Sequence, residues 1–184
     1  LFYQTHPFKP YHGDKYWAQL VSDDLVNWEY RGIALEPEYW FEKDGCFSGN
    51  ILVENDKMYL FYTGNIWKDG VEFEVGEEYQ CLAISDDGID FKKLSEPIIG
   101  LPDFSLYTPH YRDPKVWKKD DQYYLIVGAQ LKEKKPCIDF YYSSDLINWE
   151  RKGILLEARE GEHSRAYMWE CPGYSYIDNK DVLF

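Results

Sequence analysis

"SSDLINWERKGILL" (Ser143–Leu156) opens on serine, passes an acidic turn, reaches a tryptophan and then runs into an apolar tail. Two other stretches follow the same plan, "SDDLVNWEYRGIAL" (Ser22–Leu35) and "SDDGIDFKKLSEPI" (Ser85–Ile98). Their aromatics, Trp28, Phe91 and Trp149, are spaced by 63 and 58 residues. A recurrence at this period is the mark of a repeat architecture.

Working outward from each turn, the content is β. "KMYLFYTGN" (Lys57–Asn65) and "DQYYLIVGA" (Asp121–Ala129) are short runs rich in aromatic and branched residues, each entered through an acidic turn. "CLAIS" (Cys81–Ser85) and "DFYYSS" (Asp139–Ser144) then lead into the Ser-Asp turns. No stretch keeps a helical period over three turns. A hairpin precedes each turn and another strand follows the aromatic, and a unit of about sixty residues has the length for four antiparallel strands. That is one propeller blade. The expected fold is therefore all-β, a β-propeller of which these 184 residues supply about three blades. "LFYQ" at the start reads as a strand in progress and "NKDVLF" at the end as a turn with a strand begun, so a domain truncated at both ends is expected.

Composition narrows the function classes. Apolar residues make up 45% and charged residues 29%, which suits a globular chain, and no apolar run approaches the length of a transmembrane helix. A net charge of −13 argues against a nucleic-acid partner or a membrane-surface role, both of which use a basic face. Cys46, Cys81, Cys137 and Cys171 lie far apart, so neither a zinc site nor a disulfide framework is expected. Reduced, buried thiols lean towards a cytoplasmic protein. His6, His12, His110 and His163 have no metal-ligand spacing, the acidic turns lack a calcium-loop pattern, and no cofactor is expected.

Three segments between the strands hold candidate chemistry: "DGCFSGN" (Asp44–Asn50), Arg112-Asp113-Pro114, and "YMWECPGY" (Tyr167–Tyr174). Each is expected shortly before a hairpin, where an inner strand begins, so that their side chains converge on the central channel. Glu170, beside Met168, Trp169 and Cys171, is expected to be partly desolvated, with its pKa raised towards that of a general acid. A glutamate on an exposed strand face fits the same residues. Pro114 favours an extended backbone at Asp113; taken alone, Arg112-Asp113 reads best as an ion pair at a turn. Two carboxylates from neighbouring blades in one pocket are what glycoside chemistry requires. The 7 Trp, 17 Tyr and 10 Phe are read mainly as sheet core, a few of them as sugar-stacking platforms.

Five motifs in order resemble glycoside hydrolase family 32, the invertases, fructan hydrolases and sucrose-6-phosphate hydrolases. They are "LFYQTHPF", "KYWAQLVSDDLVNW", "GCFSGN", "YRDPKVW" and "WECPGY". The resemblance implies a five-bladed propeller of which residues 1–184 form part of a single catalytic domain. It implies Glu170 as acid/base and Asp113 as the transition-state stabiliser that binds fructosyl hydroxyls. Arg112, Gln4, Trp17, Phe47 and Ser48 would line the sugar pocket. The implied activity is that of a retaining β-fructosidase acting on a terminal β-D-fructofuranosyl unit in sucrose, sucrose-6-phosphate or a fructan. A fructosyltransferase or a non-catalytic sugar-binding propeller would share these motifs. The family's nucleophile belongs to a Trp-Met-Asn-Asp-Pro-Asn-Gly motif that is not among these residues, so residues 1–184 alone are expected to be inactive. Where the family often has Trp-Gly-His, this chain has Trp17-Ala18-Gln19.

Overall fold

A computed structural model describes residues 1–10, 13–71, 74–159 and 166–184; His12 and His163 lie outside them. Among the described residues, thirteen strands follow one another in four antiparallel sheets, each built in chain order. The first sheet holds β1 (Phe2–Thr5), β2 (Tyr16–Val21) and β3 (Glu29–Leu35). The second holds β4 (Cys46–Glu54), β5 (Lys57–Trp67), β6 (Val75–Ser85) and the two-residue β7 (Lys92–Lys93). The third holds β8 (Tyr107–Lys119), β9 (Gln122–Leu131), β10 (Pro136–Ser143) and β11 (Glu150–Glu157), and the last pairs β12 (Tyr174–Ile177) with β13 (Lys180–Leu183). The sheets do not close on themselves. They form part of a β-propeller, with two complete four-stranded blades between a three-stranded and a two-stranded sheet.

The sixty-residue repeat is the link from the third to the fourth strand of a blade. In all three copies the serine hydroxyl accepts from the two backbone N–H groups at positions +2 and +3. These are Asp24 and Leu25 for Ser22, Asp87 and Gly88 for Ser85, and Asp145 and Leu146 for Ser143. The aspartate at +2 then accepts from the next two free N–H groups, those of Val26 and Asn27, Ile89 and Asp90, and Ile147 and Asn148. Side-chain oxygens thus replace ladder partners in a turn too tight for backbone pairing. By this match β1–β3 correspond to the outer three strands of the complete blades.

Successive side chains of β5 and β6 point to opposite faces, and the stretches Met58–Tyr62 and Cys81–Ile84 are apolar on both. Leu60 and Tyr62 of β5, with Cys81 and Ala83 of β6, face the first sheet in a core with Trp17, Leu35 and Phe41. Phe61 and Leu82 point the other way, into a core with Tyr111, Val116, Leu125 and Val127 of the third sheet. The second sheet is therefore buried on both faces. Cys46, Cys81 and Cys137 are buried free thiols, whereas Cys171 is exposed, contrary to the expectation for all four.

Candidate active site

The three motif segments do meet, two of them on inner strands. Phe47 and Ser48 are on β4 and Arg112-Asp113-Pro114 on β8; the Glu170 segment does precede a hairpin, β12–β13. Asn50 fastens the first two together, its amide accepting from Val116 N–H at 2.6 Å and donating to Val116 C=O at 3.2 Å. The third is drawn in by a missing side chain. A Cβ on Gly128 of β9 would lie 2.1 Å from the Trp169 carbonyl oxygen, so only glycine lets that segment approach.

Asp113 departs from the expected backbone. Its φ is +66°, left-handed and not extended. The cause is a bulge: β8 pairs Arg112 with Gly128 and then Lys115 with Ile126, so Asp113 and Pro114 oppose Val127 alone. Proline steers its predecessor by local sterics, and here the register of the sheet overrides it. The Asp113 side chain, almost fully buried, accepts from Cys171 N–H at 2.8 Å. Burial raises its pKa against the opposing pull of that bond and of Arg112.

Arg112 is the hub. Nη1 lies 3.1 Å from Glu78 Oε1 and 3.2 Å from His110 Nδ1, and Nη2 lies 2.6 Å from Glu170 Oε1. Tyr167 hydroxyl accepts from Arg112 Nη2 and donates to Glu170 Oε1 at 2.8 Å. Glu170 is 52% exposed at its side chain. Burial pushes its pKa up, but the Arg112 and Tyr167 hydrogen bonds outweigh that and hold it below the ordinary glutamate value. The raised pKa expected from the sequence is thus reversed: Met168 is buried, but the carboxylate itself points at a cation and into solvent. Burial, then Arg112, lowers the His110 pKa.

These groups line a cavity of about 340 Å³ that includes Gln4, Phe47, Ser48, His110, Arg112, Asp113, Tyr167 and Glu170. It thus contains every residue assigned to the site from the sequence except Trp17. That indole sits behind the wall, donating to Phe47 C=O at 3.0 Å, and borders the adjoining cavity of about 590 Å³ with Gln4 and Ser48. His110, Tyr167 and Glu78 were not singled out in the sequence; Glu78 is fully buried on β6, where a lone strand glutamate gives no sign of its partner.

The model of the glycosyl hydrolases family 32 N-terminal domain matches residues 1–184. The chain belongs to glycosyl hydrolase family 32. Among family 32 relatives, the sucrose-6-phosphate hydrolase of Bacillus subtilis (strain 168) is 41% identical over all of this chain and 37% of its own length. A structure of sucrose-6-phosphate hydrolase from Lactobacillus gasseri superposes with a TM-score of 0.85 at 36% identity, over 99% of this chain and 36% of that one. A mutant Bombyx mori β-fructofuranosidase in complex with sucrose gives 0.82 at 34% identity, over 99% and 37%. The chain spans little more than a third of the length of these relatives.

Proposed function

We propose that the protein is a retaining β-fructosidase that releases fructose from sucrose or its 6-phosphate, and that residues 1–184 are part of its catalytic domain. One observation carries this reading: carboxylates from two separate segments, Asp113 on β8 and Glu170 ahead of β12, line one cavity and are joined through Arg112 and Cys171 N–H. The names of the relatives favour sucrose-6-phosphate over a fructan.

Glu170 is the acid/base. It gives its proton to the glycosidic oxygen as the bond to the fructosyl anomeric carbon breaks, then takes one from the water that releases fructose. In the open site Arg112 and Tyr167 favour its ionised form. Bound substrate that excludes water and draws Arg112 hydrogen bonds to sugar hydroxyls reverses that bias. Asp113, held by Cys171 N–H, accepts hydrogen bonds from fructosyl hydroxyls as positive charge develops on the ring. The attacking carboxylate belongs, by the family pattern, to an Asn-Asp-Pro motif that these residues do not contain.

The test is fructose release from sucrose and sucrose-6-phosphate by the protein at its natural length. Glu170→Gln is expected to lower kcat by about 10²–10⁴-fold, the usual worth of a general acid/base. Near wild-type turnover in that variant would remove Glu170 from the mechanism.

A further inference from the structure

The bulge that aims Asp113 leaves a backbone problem. Pro114 has no N–H, and Asp113 N–H has lost its β9 partner, in a buried strand where an unpaired donor is costly. The donor is taken up from the neighbouring blade: Asp113 N–H donates to Thr63 Oγ1 at 2.9 Å. Thr63 donates in turn to Gln80 Oε1 at 2.9 Å, and Gln80 Nε2 donates to Tyr111 C=O at 2.8 Å. Tyr111 N–H donates to Glu78 Oε2 at 2.6 Å. Thr63, Gln80 and Glu78 are all fully buried. They continue the face of β5 and β6 that carries Phe61 and Leu82, so it changes from apolar to polar where it meets the site.

We propose that Thr63, Gln80 and Glu78 are positioning residues, a cradle that grips the backbone from Tyr111 to Asp113 and sets the left-handed conformation from which Asp113 meets the fructosyl unit. This rests on the reaction proposed above. The side chains touch Tyr111 on both its polar backbone groups and Asp113 on its N–H, while none of the three is among the residues that line the cavity. A left-handed aspartate is strained and persists only when its surroundings fix it. Here the fixing atoms come from the adjacent blade, so the active geometry depends on how two blades pack.

The test compares Thr63→Val, which keeps the shape and loses the hydroxyl, with Thr63→Ser, which keeps the hydroxyl. In the protein at its natural length, Thr63→Val is expected to lower kcat/KM about 10- to 100-fold, mostly in kcat, and Thr63→Ser to restore most of it. In an Asp113→Asn background the same Thr63→Val change is expected to cost less than about threefold, since it acts through Asp113. Equal losses in both backgrounds would overturn the cradle, as would wild-type kcat/KM in Thr63→Val. Amide exchange at Asp113, followed by NMR, gives an answer independent of turnover: its protection should fall in Thr63→Val and hold in Thr63→Ser, and unchanged protection refutes the proposal. A wild-type protein that releases no fructose would refute the proposed reaction and leave the exchange result to decide the cradle. If Thr63→Val does not fold, Gln80→Met reads the same network, with loss of Asp113 protection expected and its retention counting against the cradle.

Discussion

Replacing Gly128 with alanine tests how the Glu170 segment is seated. The backbone φ of Gly128 is one that any residue adopts, so the substitution acts through space alone. Its Cβ would lie 2.1 Å from Trp169 O and 3.2 Å from the carbonyl carbon, where ordinary contact begins at 3.4 Å. The Trp169–Glu170 backbone therefore has to retreat by more than 1 Å from β9, because Gly128 is fixed on both sides by Arg112 and Ile138. Overpacking of this kind costs about 1–3 kcal/mol, and each kcal/mol lowers Tm by roughly 2–4 °C in a domain of this size. Displacing an acid/base by about 1 Å costs on the order of a hundredfold in rate. Fructose release should thus fall about a hundredfold while calorimetry shows a folded protein with Tm lowered by several degrees. Gly100→Ala is the control, since nothing lies within 4 Å of the added methyl, and it should match wild type. A Gly128→Ala protein with wild-type kcat/KM would mean that Glu170 does not depend on this close approach, and the reasoning would fail.

Burial raises the Glu78 pKa to about 7, against the opposing pull of Arg112 and of Tyr111 N–H. The folded state then holds that proton more tightly than the unfolded chain, so the Glu78 contribution is fully present below the ordinary value of 4.5 and is lost as pH rises towards 7. Glu78→Gln should therefore gain Tm relative to wild type across that window in scanning calorimetry, and a difference that stays constant with pH would contradict it. Asp145→Ala removes the acceptor of the Ile147 and Asn148 N–H groups at the repeat turn. It should cost about 0.5–1 kcal/mol, seen as a Tm loss of a few degrees. Because the Asn148 and Ile147 hydrogen bonds hold the Asp145 pKa well below the ordinary carboxylate value, that loss shrinks only as pH falls below this value, and an unchanged Tm at neutral pH would show that the turn closes without it.

The contrast between the repeat turns and Asp113 explains what the sequence could disclose. At Ser22, Ser85 and Ser143 every donor and acceptor lies within five residues, so the chemistry of the turn is written locally and recurs as a readable pattern. The burial of β5 and β6 on both faces is legible for the same reason, in the apolar runs Met58–Tyr62 and Cys81–Ile84. Asp113 obeys a different rule. Proline predicts an extended neighbour when the chain is considered alone, yet the register between β8 and β9 demands an extra residue, and the donor this frees finds its acceptor 50 residues earlier in the chain. Glu170 behaves likewise: its apolar neighbours suggested a raised pKa, but the cation that decides the direction stands 58 residues away. Carboxylate chemistry in this fold is therefore governed by contacts between blades. A substitution there, as at Thr63 or Gly128, should disturb the site more than one of equal size at a repeat turn.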